Sequence, residues 1–125
     1  MIKKINTKKA PKAIGPYSQG CIANGMIFTS GQIAINPDSG DLVLDDFKKE
    51  VTQVLKNLEN VIIAGGSSKE NIVKLTVFVK DMNRFKLVNE IFEIFFNNNF
   101  PARSVVEVSE LPLGVNIEIE GIAML

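Results

Sequence analysis

The chain contains two arginines, Arg84 and Arg103, and only the second has the setting of a functional group. Arg84 opens a helical segment and reads as a solvated surface residue. Arg103 follows Pro101-Ala102 inside an extended stretch. Alternation along a strand sends Arg103, Val105 and Glu107 to one side and Ser104, Val106 and Val108 to the other. Two readings stay open for it. One is a cross-strand Arg–Glu pair on a solvated face. The other is a guanidinium whose planar fork takes a substrate carboxylate at two points, which an ammonium cannot do.

Two carboxylates, Glu118 and Glu120, lie in the last extended run, Val115-Asn116-Ile117-Glu118-Ile119-Glu120-Gly121. The period of two places both on one face and Ile117 and Ile119 on the other, which should be the face a helix covers. A polar outer face is the plain reading; a general base for a water molecule is the chemical one. Tyr17, the only tyrosine, follows the Gly15-Pro16 turn and reads either as a packing residue or as a phenol that donates to substrate or water. Thr29-Ser30-Gly31-Gln32 interrupts an apolar strand. A glycine in a strand marks a bulge or the close approach of a ligand.

Other chemistry is excluded or weak. With no histidine, Ser-His-Asp and Cys-His catalysis and the imidazole zinc sites are ruled out. Two carboxylates with no third acidic ligand nearby are a poor metal or glycosidase site. Gly65-Gly66 ends a helix rather than opening one, so it is no phosphate loop. The single Cys21 has no activating neighbour in sequence and reads as an inert thiol, in keeping with a reducing compartment.

A formal net charge of zero, from 14 basic and 14 acidic side chains, builds no positive field for nucleic acid or an anionic membrane. It also leaves little repulsion to hold copies apart. At 125 residues and 46% hydrophobic, the chain reads as one domain, 1–125, with enough apolar mass for a core. The Lys-rich start lacks the apolar run of a signal peptide, and no stretch approaches a membrane span. The cytoplasm is the expected location.

These residues need elements to position them. Asn24-Gly25 predicts a hairpin turn between Gln19–Ala23 and a strand over Met26–Ile35; Ile2–Ile5 reads as a further short strand. Val51, Val54, Leu55, Leu58, Val61 and Ile62 form one helical stripe, predicting a helix over Phe47–Ala64 with Asp45 or Asp46 as its cap. Asn71–Lys80, apolar on both faces, reads as a central strand. A second helix follows over about Arg84–Asn97, capped by Asp81 or Asn83, with Phe85, Val88, Phe92, Phe95 and Phe96 as its stripe. Strands over Arg103–Ser109 and Asn116–Leu125 close the chain. The fold class is α+β: two layers, a mixed sheet of about six strands, and two helices on one face. The other face, part polar and part apolar, suits burial against another subunit.

In this order and spacing, Ala13-Ile14-Gly15-Pro16-Tyr17-Ser18-Gln19-Gly20, Thr29-Ser30-Gly31-Gln32, Val77-Phe78-Val79-Lys80-Asp81-Met82, Phe100-Pro101-Ala102-Arg103-Ser104 and Ile117-Glu118-Ile119-Glu120 resemble the successive signatures of the reactive intermediate deaminase (Rid, YjgF-like) family. The resemblance covers nearly the whole chain, and the arginine matches the imine deaminase branch. It implies a chorismate-mutase-like fold and a homotrimer with active sites in clefts between subunits. It also implies hydrolysis of 2-iminobutanoate and 2-iminopropanoate, released by pyridoxal-phosphate enzymes, to 2-keto acids and ammonia, with no cofactor or metal. Carried over, Arg103 would hold the substrate carboxylate, Glu118 would position or activate water, and Tyr17 would hydrogen-bond substrate or water. Ser30 and Gly31 would form pocket wall, and Asn89 would lie at its edge. Val105 stands where many family members have cysteine, which removes thiol chemistry there but leaves a backbone contact open. Two other functions compete: a trimeric protein that binds or senses a 2-keto or amino acid, and a ribonuclease or translation inhibitor. A pure binder needs Arg103 but has less use for Glu118. Zero net charge and the missing histidine argue against the ribonuclease.

Overall fold

The computed structural model describes residues 1–125. Six strands and two helices follow in the order β1 (Lys3–Ile5), β2 (Gly20–Ala23), β3 (Met26–Thr29), α1 (Phe47–Ala64), β4 (Ile72–Val79), α2 (Phe85–Phe96), β5 (Ala102–Glu107) and β6 (Ile117–Met124). The strands make one mixed sheet, ordered β1-β2-β3-β6-β4-β5. Only β4 and β5 run parallel, and α2 supplies the long crossover that a parallel pair requires. The expected α+β arrangement with both helices on one face is the one observed.

Local chemistry explains most boundaries. Asn24 and Gly25 both have positive φ, 49° and 74°, the backbone of a tight hairpin turn whose twist matches the strands it joins. Asp46 caps α1 by accepting from the Lys49 amide at 3.2 Å. All six residues of the α1 apolar stripe are fully buried, and with β4, β6 and α2 they make the core. Asp81 caps the short 3₁₀ turn Met82–Arg84 that leads into α2. Asn97, in the left-handed region, ends that helix.

Two elements depart from expectation. The strand predicted to reach Ile35 stops at Thr29. Phe28 pairs with Ile122 and Gln32 bridges Ile119, so four steps on one strand span three on the other. The extra residue is a bulge. It is held open by Thr29, whose hydroxyl takes the Gly121 amide at 2.9 Å, and by Ser30, whose amide turns away to Gln19 at 2.9 Å. The second departure is Phe85, expected in the α2 core stripe. It is 39% exposed, and its ring stands beside the Arg103 guanidinium, 5.3 Å from centre to cation. Arg84, read as a solvated surface residue, lies with its guanidinium 4.7 Å from the centre of the Phe47 ring.

Candidate active site

Strand register decides where the candidate groups point. Arg103 lies opposite Leu75 on β4, and Leu75 is buried beneath the helices. Neighbours in register share a face, so Arg103 is on the helix side. Glu118 lies opposite Phe78, an odd number of residues from Leu75, and so projects from the helix-free side. Within one chain the two groups stand on opposite faces of the sheet. One of the two readings of Arg103 fails: it makes no ion pair, with Glu107 or with any other carboxylate. Glu107 is engaged elsewhere, accepting from the Met82 amide at 2.8 Å.

Each group has its own cavity. Arg103 sits at the sheet edge in a cleft of about 370 Å³ that it lines with Asn89, Phe92, Glu93, Phe100 and Pro101. Its guanidinium donates to Asn89 Oδ1 at 2.9 Å and lies 5.3 Å and 4.9 Å from the centres of the Phe85 and Phe92 rings. Phe85, Asn89 and Phe92 fall at i, i+4 and i+7 along α2, one stripe that cradles the cation. Burial pushes the guanidinium pKa down from its ordinary value, yet arginine stays protonated at neutral pH. The chain's one ion pair joins Lys48 to Glu90, so this cation has no carboxylate partner of its own.

Glu118 belongs to a second cavity, of about 290 Å³, with Ile14, Tyr17, Ser30, Gly31, Ile33 and Pro112. The bulge builds its wall. A β-carbon on Gly31 would collide with the Glu118 carboxylate, so a larger residue here would push that side chain out of its place against the wall. Burial first, and the charge of Glu120 second, raise the Glu118 pKa above the usual carboxylate value. Ser30 Oγ donates to the Ser18 carbonyl at 2.6 Å, so this hydroxyl ties two loops together as well as lining the wall. Tyr17 is 47% exposed, and its hydroxyl only accepts, weakly, from the Ile14 amide at 3.5 Å; the phenolic O–H remains free to donate. Asn89 stands with Arg103, and Val105 lines neither cavity, its side chain packing against the core. No three His, Cys, Asp or Glu side chains converge as a metal cage would require, and no helix is long and apolar enough to cross a membrane.

Residues given no site role in the sequence also shape the site. Phe92 and Phe100 wall the arginine cleft, and Ile14 and Pro112 the acid cavity. Glu50 and Asn57 are wholly buried polar residues on α1. Their spacing of seven, beside the apolar stripe, was the available signal.

The chain is a small α+β domain with a guanidinium that has no carboxylate partner and a half-buried carboxylate, each in its own cleft. Residues 7–125 match the endoribonuclease L-PSP family, and the chain belongs to this family, which takes in the YjgF, RutC and Rid proteins. It is 50% identical over 127 residues to the 2-iminobutanoate/2-iminopropanoate deaminase of Escherichia coli strain K12, covering 99% of this chain and 98% of that protein. Its structure resembles YyfA of Yersinia pestis, a Rid-family protein of unknown function, with a TM-score of 0.97, 50% identity and full coverage of both chains. It also resembles Escherichia coli TdcF with bound serine, with a TM-score of 0.94, 41% identity and 98% of each chain covered.

Proposed function

We propose that the protein hydrolyses 2-imino acids, 2-iminobutanoate and 2-iminopropanoate among them, to 2-keto acids and ammonia, at sites shared between copies of the chain in a homotrimer. The observation that carries this reading is the pair of half-sites. Arg103, held by Asn89 and two aromatic rings, suits a substrate carboxylate. Glu118, with a raised pKa and no ion-pair partner, suits proton transfer. Neither half completes a site within one chain, and a neighbouring copy would bring the Arg103 of one to the Glu118 of another. The helix-free face exposes Phe28, Val106 and Met124, an apolar surface fit to be covered by that neighbour. Relatives named as imine deaminases support the chemistry.

In this mechanism Arg103 clamps the carboxylate and fixes the imine carbon. Glu118 takes a proton from water as its oxygen bonds to that carbon, giving a carbinolamine. Glu118 returns this proton to nitrogen and then takes the hydroxyl proton of the carbinolamine, which also passes to nitrogen as the C–N bond breaks, so that ammonia leaves as the carbonyl forms. The free Tyr17 hydroxyl would donate to substrate or water, and Ser30 and Gly31 would bound the pocket. The imine carbon is already electrophilic, so orientation and one base suffice. Val105 would contribute through its backbone alone. The uncharged balance of the chain and this site chemistry fit a cytoplasmic enzyme.

The test is to generate 2-iminobutanoate from threonine with a dehydratase and follow keto acid and ammonia release with and without the protein. Acceleration is expected, together with a trimer in native mass spectrometry. An unchanged rate, or a stable monomer at micromolar concentration, overturns the reading.

A further inference from the structure

Helix α1 carries a polar edge beside its apolar stripe: Glu50, Gln53, Asn57 and Asn60, at i, i+3, i+7 and i+10, one line along a helix. Each is spent on structure at a loop or on its neighbour. Glu50, fully buried, accepts the backbone amide of Asn116 at 2.8 Å on one carboxylate oxygen and its side-chain amide at 2.8 Å on the other. Asn57, also fully buried, donates to the carbonyls of Ile33 at 3.0 Å and Ile35 at 2.8 Å. Gln53 steadies it by donating to its oxygen at 2.9 Å.

The two anchored segments are the two sides of the acid cavity. Asn116 immediately precedes β6 and stands two residues before Glu118. Ile33 lines the opposite wall, two residues after Gly31. The segments meet in a two-way bridge: the Gln32 amide donates to the Ile119 carbonyl at 2.8 Å, and the Ile119 amide to that of Gln32 at 3.1 Å. A buried carboxylate with no cation partner is costly to solvation, and an apolar side chain would serve the core better. What explains Glu50 is therefore what it holds.

We propose that Glu50 and Asn57 are positioning residues, which set the distance between the Glu118 carboxylate and the Gly31 wall by pegging both segments to one rigid helix. This rests on reading the Glu118 cavity as the proton-transfer half of the site. Replacing Glu50 by leucine leaves the Asn116 amide without a partner and frees the start of β6. Gln at this position keeps an oxygen for the backbone amide, and Asn116 can turn its own amide to pair with the other end.

The experiment compares wild type, E50L, E50Q and N57A by amide hydrogen exchange and by imine turnover. In E50L and N57A, exchange should quicken about tenfold at Gln32 and Ile119, the scale of one lost buried hydrogen bond, with β2 and α2 unchanged. The turnover number should fall about tenfold while KM moves less than about threefold. E50Q should recover most of both losses. If E50L does not fold, N116A removes one of the two bonds from a half-buried position and should show the same pattern more weakly. Wild-type exchange and turnover in these variants overturn the proposal, as does local loosening without loss of turnover. Exchange that quickens throughout the sheet also overturns it, because Glu50 is then only a core residue. Local loosening in a protein whose wild type hydrolyses no imine leaves the pegging intact and sinks the catalytic reading instead.

Discussion

The arginine cleft and the acid cavity are built by opposite means. Arg103 is tightly held: Asn89 takes one of its donors and two rings flank it, all from one face of α2. Glu118 is held by nothing but crowding, and burial and the charge of Glu120 disfavour its ionised form. A group that must bind a fixed charge gains from a fixed orientation. A group that must take up and release a proton gains from having no competing partner and a pKa moved toward neutrality. Under the proposed function, affinity belongs to one cleft and turnover to the other, a division that can be broken experimentally.

The largest effect is expected for E118Q. The amide keeps the shape but cannot act as a base, so turnover should fall about a hundred- to ten-thousandfold, while calorimetry should find 2-ketobutyrate bound as in the wild type. Wild-type turnover in this variant would leave the acid cavity with no chemical role. R103A should lose about ten- to a hundredfold in keto acid affinity, and R103K should recover little of it, because an ammonium lacks the two-point fork. Normal keto acid binding by R103A would remove the clamp and with it the division of labour. Next comes complementation. When R103A and E118Q are unfolded together and reassembled, about a quarter of the sites should draw an intact arginine and an intact glutamate from different copies and regain activity. No recovery, with mixed trimers seen by native mass spectrometry, would place both groups of a site in the same copy. The smallest effect is a displacement in pH. The repulsion of Glu120 raises the Glu118 pKa. The base form therefore dominates only above that raised value, and activity should fall as pH drops through it. E120Q removes the repulsion, lowers the Glu118 pKa and moves this acid limb to lower pH. A limb that stays in place in the kcat profile would assign it to another group.

Much of this was legible in the sequence, for reasons that differ by element. Both helices were read from period and caps, because an apolar stripe of two or more turns has few alternatives. The first hairpin was read from Asn24-Gly25, where backbone conformation and residue type are tightly linked. The face of Arg103 was not legible. Alternation along β5 relates Arg103 to Val105 and Glu107 but does not say which set meets the helices, and that answer lies in the pairing of Leu75 with Arg103 and Phe78 with Glu118. Phe85 was misplaced because a helical stripe records which side a residue takes, not whether it meets the core or, as here, a cation at its margin. Glu50 and Asn57 were passed over because polar residues at the margin of a stripe look like solvated ones until the loops they bind are known.

The bulge at Thr29–Gly31 has one further consequence, best put in the language of crystals. It is a dislocation: one extra residue enters the ladder, and the lattice of hydrogen bonds closes again out of phase at Gln32. Deleting Ser30 would heal the defect, bringing β3 and β6 into a single unbroken register. The repaired sheet would be more regular and would lose the wall that Ser30 and Gly31 give the acid cavity. Among relatives, single-residue deletions in this segment should therefore be far rarer than substitutions.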